Sequence, residues 1–417
     1  MLPLLTAQQI RETDAYTIKH EPIPSIQLME RASRAFVSWF VNHFPDKLQA
    51  ITIYCGTGNN GGDGLAIACM LYEHKYTNLE VRVARFSEKS TADFDSNFER
   101  LKDNGLDLRE LKPERDFPED KSDIVIDALL GSGLNKPLEG DYKRLADFIN
   151  ELHKTVVAVD VPTGFYTDGE IDKNATVIKA NLVITFQQPK INFLLPESAA
   201  HMDCWEVVNI GLDEGFIRSL DSPYQLIEEK DIRQILKPRR RFSHKGTYGH
   251  ALIVAGQEKT MGAALLSASA SVYAGAGLTT ACIPESGLTA LNTAHAEVMA
   301  IVRPTGQLPE INWEQYSTIG IGPGLGKDDD AHMLVKHILD IYNKPVLVDA
   351  DGLNLLATHP GLWDKLPKGS ILTPHMKEFD RLFGDSANWW QRLQMGIKKA
   401  AQHHVYIILK NDYTMVI

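Results

Sequence analysis

The sequence predicts two α/β domains in tandem, and three observations carry that reading. Short β-branched apolar runs alternate with helix-patterned segments along almost the whole chain. Those runs are apolar on both faces, as in a parallel sheet covered by helices on each side. At 417 residues the chain also exceeds what one ordinary core fills.

Taken in order, residues 7–20 and 25–43 read as two opening helices, with Thr6 and Ser25 as N-caps. Residues 51–55, Ile-Thr-Ile-Tyr-Cys, are a β-branched strand, and the apolar stretch 64–72 behind a glycine run is a helix. A strand at 79–86, a helix at 91–104, a strand at 123–126 and a helix at 142–152 continue the alternation. Strands at 155–159 and 182–186 follow. The pattern loosens over 211–241, so the expected divisions are a first domain at 1–215, a linker and start of the second at 216–245, and a second domain at 246–417. There the alternation restarts with strands at 250–255, 278–283, 318–321 and 345–349 and helices at 262–274 and 331–341. Strands at 370–372 and 405–409 extend it, and 414–417 reads as a neighbour of 406–409 joined by 410–413. Nothing follows to cover that last pair, so the second domain is expected to be incomplete.

Composition excludes several classes. Hydrophobic residues at 44% and charged residues at 23% are globular values. Apolar runs such as 252–256 and 405–409 are far too short to span a bilayer, and residues 1–10 lack a signal-peptide pattern. Cys55, Cys69, Cys204 and Cys282 show no metal-like or redox spacing, which fits free thiols in a reducing cytoplasm. A net charge of −11 argues against a nucleic-acid binder. The basic run 237–241, with His244 and Lys245, reads as a solvated linker.

The strongest local signal is Gly56-Thr-Gly-Asn-Asn-Gly-Gly-Asp-Gly64, after a strand and opening a helix. Glycines let a ligand approach the backbone, and free N–H groups at a helix start favour an anion such as a pyrophosphate. A tight turn is the plainer reading, but five glycines, two amides and a carboxylate in nine residues outweigh it. Asp127-Ala-Leu-Leu-Gly-Ser-Gly-Leu-Asn-Lys-Pro137 and Asp160-Val-Pro-Thr-Gly164 also place acids at strand ends. Each acid alone is as well explained by a cap or turn; three loops at one sheet edge point to a shared crevice.

The second half holds His244-Lys-Gly-Thr-Tyr-Gly249, Gly262-Ala-Ala264, Gly322-Pro-Gly-Leu-Gly326, Asp349-Ala-Asp351-Gly-Leu-Asn354 and Leu372-Thr-Pro-His375. GPGLG is a modest ligand-approach signal, and His375 by itself reads as an N-cap or core histidine.

Together the GNNGGDG, DALLGSGL and DVPTG motifs resemble the Rossmann-like N-terminal domain of bifunctional NAD(P)H-hydrate repair enzymes, over about residues 5–211. That family interconverts the R and S epimers of NADHX and NADPHX, in which water has added at C6 of the nicotinamide. The resemblance implies that Asn59, Asn60, Gly61, Gly62 and Asp63 hold phosphates and ribose. Gly131, Ser132, Gly133, Leu134, Asn135, Lys136 and Pro137 would line the same site. Asp160 would contact the substrate near the reacting ring and serve as general acid/base, assisted by Lys190, for which a solvated surface position is equally open. A potassium ion would be held by Asn60, Asp127 and Thr163, oxygen donors that suit a hard cation.

The second-half motifs resemble the ADP- or ATP-dependent, Mg-requiring dehydratase of the same family, a ribokinase-like fold that phosphorylates the C6 hydroxyl of the S epimer. By motif, Ala263, Gly324 and His375 would bind the hydrated cofactor, and Lys410, Asn411, Asp412, Tyr413 and Thr414 would begin the nucleotide site. Two departures stand out: Leu409-Lys410-Asn411 replaces the family's LKG, and the GTGD segment with its catalytic aspartate is not reached by Ile417. Little or no dehydratase activity is therefore expected, and a fragment of a longer protein is one explanation. Relatives of both domains self-associate, so a homo-oligomer is expected. A non-catalytic scaffold of the same fold competes with this reading but would spare Asn60, Asp127 and Asp160. A ribokinase-like small-molecule kinase would leave the first half unexplained.

Overall fold

The computed structural model describes Met1–Ile417, and the chain forms two compact units, Met1–Leu236 and Lys237–Ile417. In the first unit the elements run β1 (Leu2–Pro3), α1 (Ala7–His20), α2 (Ser25–His43), β2 (Ile51–Cys55), α3 (Asn59–Glu73), β3 (Leu79–Ala84), α4 (Ala92–Asp103) and β4 (Asp107–Leu111). They continue with β5 (Ile124–Ala128), α5 (Gly140–Glu151), β6 (Thr155–Val159), β7 (Ala180–Phe186), β8 (Met202–Val208), α6 (Glu214–Ser219), β9 (Gln225–Leu226) and α7 (Glu229–Ile235).

Seven strands form one parallel sheet in the order β4-β3-β2-β5-β6-β7-β8. The chain moves outward from β2 in one direction and resumes at β5 in the other, so the topological switch lies between β2 and β5. That is where open α/β sheets bind ligands. Phe36 and Phe40 of α2, Ile67 of α3 and Phe94 of α4 pack on one face of the sheet. Leu145 and Ile149 of α5 join Val125, Val156 and Val183 in the other core cluster. The sheet is doubly wound because both faces of its central strands are apolar.

In the second unit the elements are β10 (His250–Val254), α8 (Met261–Tyr273), β11 (Leu278–Pro284), α9 (Leu288–Ala294), β12 (Met299–Arg303), β13 (Thr318–Ile321) and α10 (Asp329–Ile341). They end with β14 (Val346–Val348), α11 (Asp351–Thr358), β15 (Ile371–Leu372), α12 (Met376–Phe383), α13 (Trp389–His403), β16 (Tyr406–Leu409) and β17 (Met415–Val416). The sheet order is β12-β11-β10-β13-β14-β15-β16-β17, parallel except for the last strand, which pairs antiparallel with β16.

Several expectations change. Thr6 caps α1 in a reciprocal box with Gln9, but Ser25 is already helical and Pro24 holds the cap position of α2. Helix α3 begins at Asn59, inside the glycine run rather than after it. Part of the stretch read as a junction, 211–241, is ordered within the first unit: α6 and α7 form there, and β9 pairs antiparallel with β1. No helix is long and apolar enough to cross a membrane. All four cysteines are free, and only Cys204 is exposed.

Candidate active site

A cavity of about 490 Å³ opens at the C-terminal ends of β2, β5, β6 and β7 in the first unit. Its glycine-rich wall owes its shape to backbone contact. A Cβ on Gly61 would lie 1.8 Å from the Gly56 carbonyl oxygen, and one on Gly56 would lie 2.0 Å from that of Leu129. Only glycine permits this approach, so the start of α3 folds back on the loop after β2, which is itself pressed against the loop after β5. Gly58 is the N-cap of α3 with no side chain to satisfy the first N–H groups. Those donors remain for an anionic ligand.

Of the residues expected on this wall, Asn59, Asn60 and Asp63 line the cavity, as do Gly131, Ser132, Gly133 and Leu134 across from them in sequence. Gly61 and Gly62 do not; both are buried, and the Gly62 N–H is already bonded to the Gly58 carbonyl at 3.0 Å. Asn135, Lys136 and Pro137 are exposed and also lie outside the lining. Asn60 is buried with its amide nitrogen unpartnered, an arrangement that a bound acceptor would relieve.

Beneath the cavity lies an oxygen-rich knot. Thr163 donates its N–H to Asp127 Oδ2 at 2.7 Å and its hydroxyl to Asp127 Oδ1 at 2.7 Å. The Leu129 N–H reaches Asp127 Oδ1 at 3.2 Å, and the Leu130 N–H reaches the Thr163 hydroxyl at 2.9 Å. Asp127 is fully buried and forms no ion pair; burial pushes its carboxyl up to about 6, against the pull of the Thr163 and Leu129 donors. It does not itself line the cavity, to which it connects through Leu129 and Leu130. Asp127 and Thr163 are thus in direct contact, while Asn60, in the first turn of α3, adjoins the loop after β5, where a Cβ on Gly131 would sit 3.0 Å from its Oδ1. A buried carboxylate without a cationic partner, beside a hydroxyl and carbonyls, fits a hard monovalent cation.

Asp160 and Lys190 form a buried ion pair on the cavity wall. Lys190 Nζ lies 2.9 Å from Asp160 Oδ1 and also donates to the Phe186 carbonyl at 3.1 Å. The Thr185 hydroxyl and the Phe186 N–H each donate to the same carboxylate oxygen at 3.1 Å. Lys190 is only 2% exposed, which rules out the solvated position its sequence left open. Asp160 is held at φ +63° and Gln187 at φ +65°, a left-handed backbone that is costly for non-glycine residues and concentrates at functional sites.

Two further carboxylates face this pair. Asp63 is pushed well up by burial and then by the charges of Asp160 and Asp14. Asp14, on α1, was not read from the sequence as a site residue, yet it lines the cavity with Asp160 and Lys190. The signal was available: Ile10, Asp14 and Ile18 recur one helical turn apart, so an acid interrupts an inward apolar stripe.

In the second unit, the loops after β13, β14, β15 and β16 meet at the C-terminal edge of one parallel sheet. Gly324 adopts φ +62°, and a Cβ there would lie 3.0 Å from that of Ala263, so these two residues adjoin. Thr260 donates its hydroxyl to the Gly324 carbonyl at 2.7 Å. His375 bridges to Lys410 in parallel register, and Lys410 Nζ pairs with Asp349 Oδ1 at 2.9 Å. His375 is also the N-cap of α12, its Nδ1 accepting from the Lys377 and Glu378 N–H groups at 3.1 and 3.3 Å. Asn411, Asp412, Tyr413 and Thr414 form the turn between β16 and β17. A cavity of about 1170 Å³ lined by Gln257, Arg303, Leu325 and Asp328 takes in none of these residues.

Comparison with known proteins divides along the same lines. A family model described as YjeF-related protein N-terminus matches residues 25–192, and one described as NAD(P)H-hydrate dehydratase matches residues 251–417. A bifunctional NAD(P)H-hydrate repair enzyme from Coxiella burnetii is 34% identical over 398 residues, covering 94% of this chain and 78% of the relative. The protein of the same description from Moorella thermoacetica is 32% identical over 433 residues, covering 99% and 81%. Among solved structures, an ADP/ATP-dependent NAD(P)H-hydrate dehydratase from Bacillus subtilis, co-crystallized with ATP/Mg2+, is 32% identical. It covers 45% of this chain and 67% of its own, with a TM-score of 0.39.

Proposed function

The chain belongs to the family of bifunctional NAD(P)H-hydrate repair enzymes, and from that premise we propose that its first unit interconverts the R and S epimers of hydrated NADH and NADPH. The observation that carries the proposal is the buried Asp160–Lys190 pair, 2.9 Å apart, on the wall of a cavity at the sheet's switch point.

Inversion at C6 requires the carbinolamine hydroxyl to leave and return. Protonation of that hydroxyl lets the C6–O bond break with its electron pair on the departing water, while the N1 lone pair closes an iminium. Water then adds to either face of C6 and surrenders a proton. Asp160 is the proposed proton carrier, a role that carboxylates fill at a fixed distance from the reacting atom. Lys190 and the donors on Asp160 Oδ1 fix its orientation, leaving Oδ2 to the substrate. The free N–H groups and Asn59 and Asn60 at the start of α3 take the phosphate end. Asn60, Asp127 and Thr163 are the proposed holders of a potassium ion, which when bound would neutralise the buried Asp127 charge beneath the loops.

For the second unit we propose ADP- or ATP-dependent dehydration of the S epimer, with Mg. Ala263, Gly324 and His375 would meet the hydrated cofactor, and Lys410 to Thr414 the nucleotide. Its expected rate is low, because Asn411 stands where the family's LKG has the glycine that admits the nucleotide.

One resolved NADHX epimer, incubated with the protein and followed by chromatography, tests both parts. Equilibration of R and S without nucleotide supports the first; unchanged epimer ratio beyond the buffer control removes it. Recovery of NADH only with ATP or ADP supports the second, and recovery at the rate of family members that keep the LKG glycine contradicts the low rate expected here.

A further inference from the structure

Helix α1 contributes one wall of the cavity through Ile10, Arg11, Asp14 and Ile18. Thr6 and Asp168 tie down its start, the latter by accepting the Ala7 N–H at 2.9 Å. Thr17 ties its last turn to Asp213 at 3.1 Å. The wall is therefore fixed, and Asp14 projects from it without a hydrogen bond or ion pair of its own. An unpaired acid between two isoleucines is unfavourable for folding alone. It is also outside residues 25–192, the span matched by the first family model.

The remaining charged groups facing the same space are Asp160 after β6, Lys190 after β7, Asp63 in the second turn of α3, Asp93 in the first turn of α4, and Arg11 on α1 itself. Lys190 is committed to Asp160, whose Oδ1 is held by three donors. Asp160 therefore has one fixed orientation, whereas epimerisation needs proton transfer at two ring faces: oxygen leaves from one and arrives at the other. A carboxylate fixed on one wall serves one face.

Resting on the function proposed above, we infer that Asp14 is a second catalytic residue of the epimerase site, carrying the proton on the ring face that Asp160 does not serve. In one direction the Asp14 carboxyl gives its proton to the C6 hydroxyl. The C6–O bond breaks, its electron pair leaves with water, and the N1 lone pair forms the C6–N1 double bond. A water then adds at C6 from the other face, breaking that double bond back to the N1 lone pair, and loses a proton to the Asp160 carboxylate. One turnover leaves Asp14 ionised and Asp160 protonated; exchange of protons with solvent through the open cavity resets both before the next turnover in the same direction, and in the reverse direction the two carboxyls exchange roles. Burial, reinforced by the Asp160 charge and opposed by Lys190, pushes Asp14 up to about 6. Both of its protonation states are thus populated near neutrality, as a reversible carrier requires.

The test compares the wild-type chain with Asp14→Asn and Asp14→Glu, using resolved R-NADHX and S-NADHX and measuring kcat, KM and their pH dependence from pH 5 to 8. The Asn variant should lose about 100-fold or more in kcat with KM nearly unchanged, and lose the pH limb near 6. The Glu variant should restore part of kcat together with a pH limb. Thermal unfolding of both variants identifies any loss that comes from misfolding, and the Glu variant then decides. An Asn variant that keeps wild-type kcat and pH limb overturns the assignment, as does a Glu variant that folds but recovers neither. Wild-type protein that fails to equilibrate the epimers overturns the functional reading and this inference with it; an active wild type with an unimpaired Asn variant removes Asp14 alone.

Discussion

Asp160 and Lys190 are joined by a 2.9 Å ion pair although they follow different strands, Asp160 directly after β6 and Lys190 beyond β7. Both are nearly removed from water, at 8% and 2% exposure. The pairing locks the two loop segments together and commits a charged lysine to one carboxylate.

Removing one partner should therefore cost more than removing both. Lys190→Met leaves the Asp160 charge buried without its cation and is expected to destabilise the first unit by about 3 kcal/mol at pH 7. The double variant Asp160→Asn, Lys190→Met should recover much of that loss. Urea unfolding of the wild type and the two variants measures the difference; equal destabilisation by the single and double variants would show that the pair is not coupled.

Potassium should stabilise the first unit through Asp127. The melting temperature is expected to rise with added KCl beyond any rise in choline chloride at equal ionic strength, because a ligand that binds only the folded state stabilises it. Asp127→Asn should abolish the difference between the two salts. A wild-type protein indifferent to the cation would remove the proposed ion site.

The glycine wall makes a steric prediction. Gly61→Ala places a Cβ 1.8 Å from a backbone oxygen, and Gly133→Ala places one where nothing lies within 4 Å. The first should destabilise by roughly 3 kcal/mol or more, since backbone must move; the second should change stability by less than about 0.5 kcal/mol. Thermal melts in parallel distinguish them.

The contrast between these glycines also marks how far the sequence could be read. The central strands, Ile51–Cys55 and Thr155–Val159, match their predicted bounds because both faces are buried and apolar. Strands Asp107–Leu111 and Met202–Val208 escaped notice because each lies at an edge of the sheet, where exposed charged residues dilute the pattern. The glycine run reads as loop by propensity, yet α3 starts within it because the absence of Cβ lets that turn pack on the next loop. The three motif loops were legible as a convergent edge. The burial of Lys190 was not, since a lone lysine carries no mark of its surroundings. Asp14 was scarcely more legible as a site residue, since a single acid on a helix is most often solvated and belongs to no motif.

Asp14 should also leave a signature in stability. Its carboxyl rises from an ordinary 3.8 to about 6 in the folded chain. Between those values the folded state holds the proton more tightly than the unfolded chain, so stability falls as pH rises through that window and the penalty is full above about 6. Relative to wild type, Asp14→Asn should therefore gain about 1–2 kcal/mol between pH 4 and pH 7.5, allowing for partial solvent access. Denaturant unfolding at the two pH values checks this; a pH-independent difference would contradict it.

In the second unit, His375→Ala removes the side-chain acceptor at the start of α12 and should lower stability by about 1 kcal/mol. His375→Asn keeps an acceptor at that position and should lose less. Similar losses in both variants would point to a role for the ring beyond capping.

Epimerisation in the first cavity, with Asp160 carrying the proton, is the central property to measure. A single resolved NADHX epimer should reach the R/S equilibrium with wild-type protein alone, without nucleotide, and remain at the buffer rate with folded Asp160→Asn. Equilibration by the Asn variant as fast as by wild type, or none by either, would contradict it.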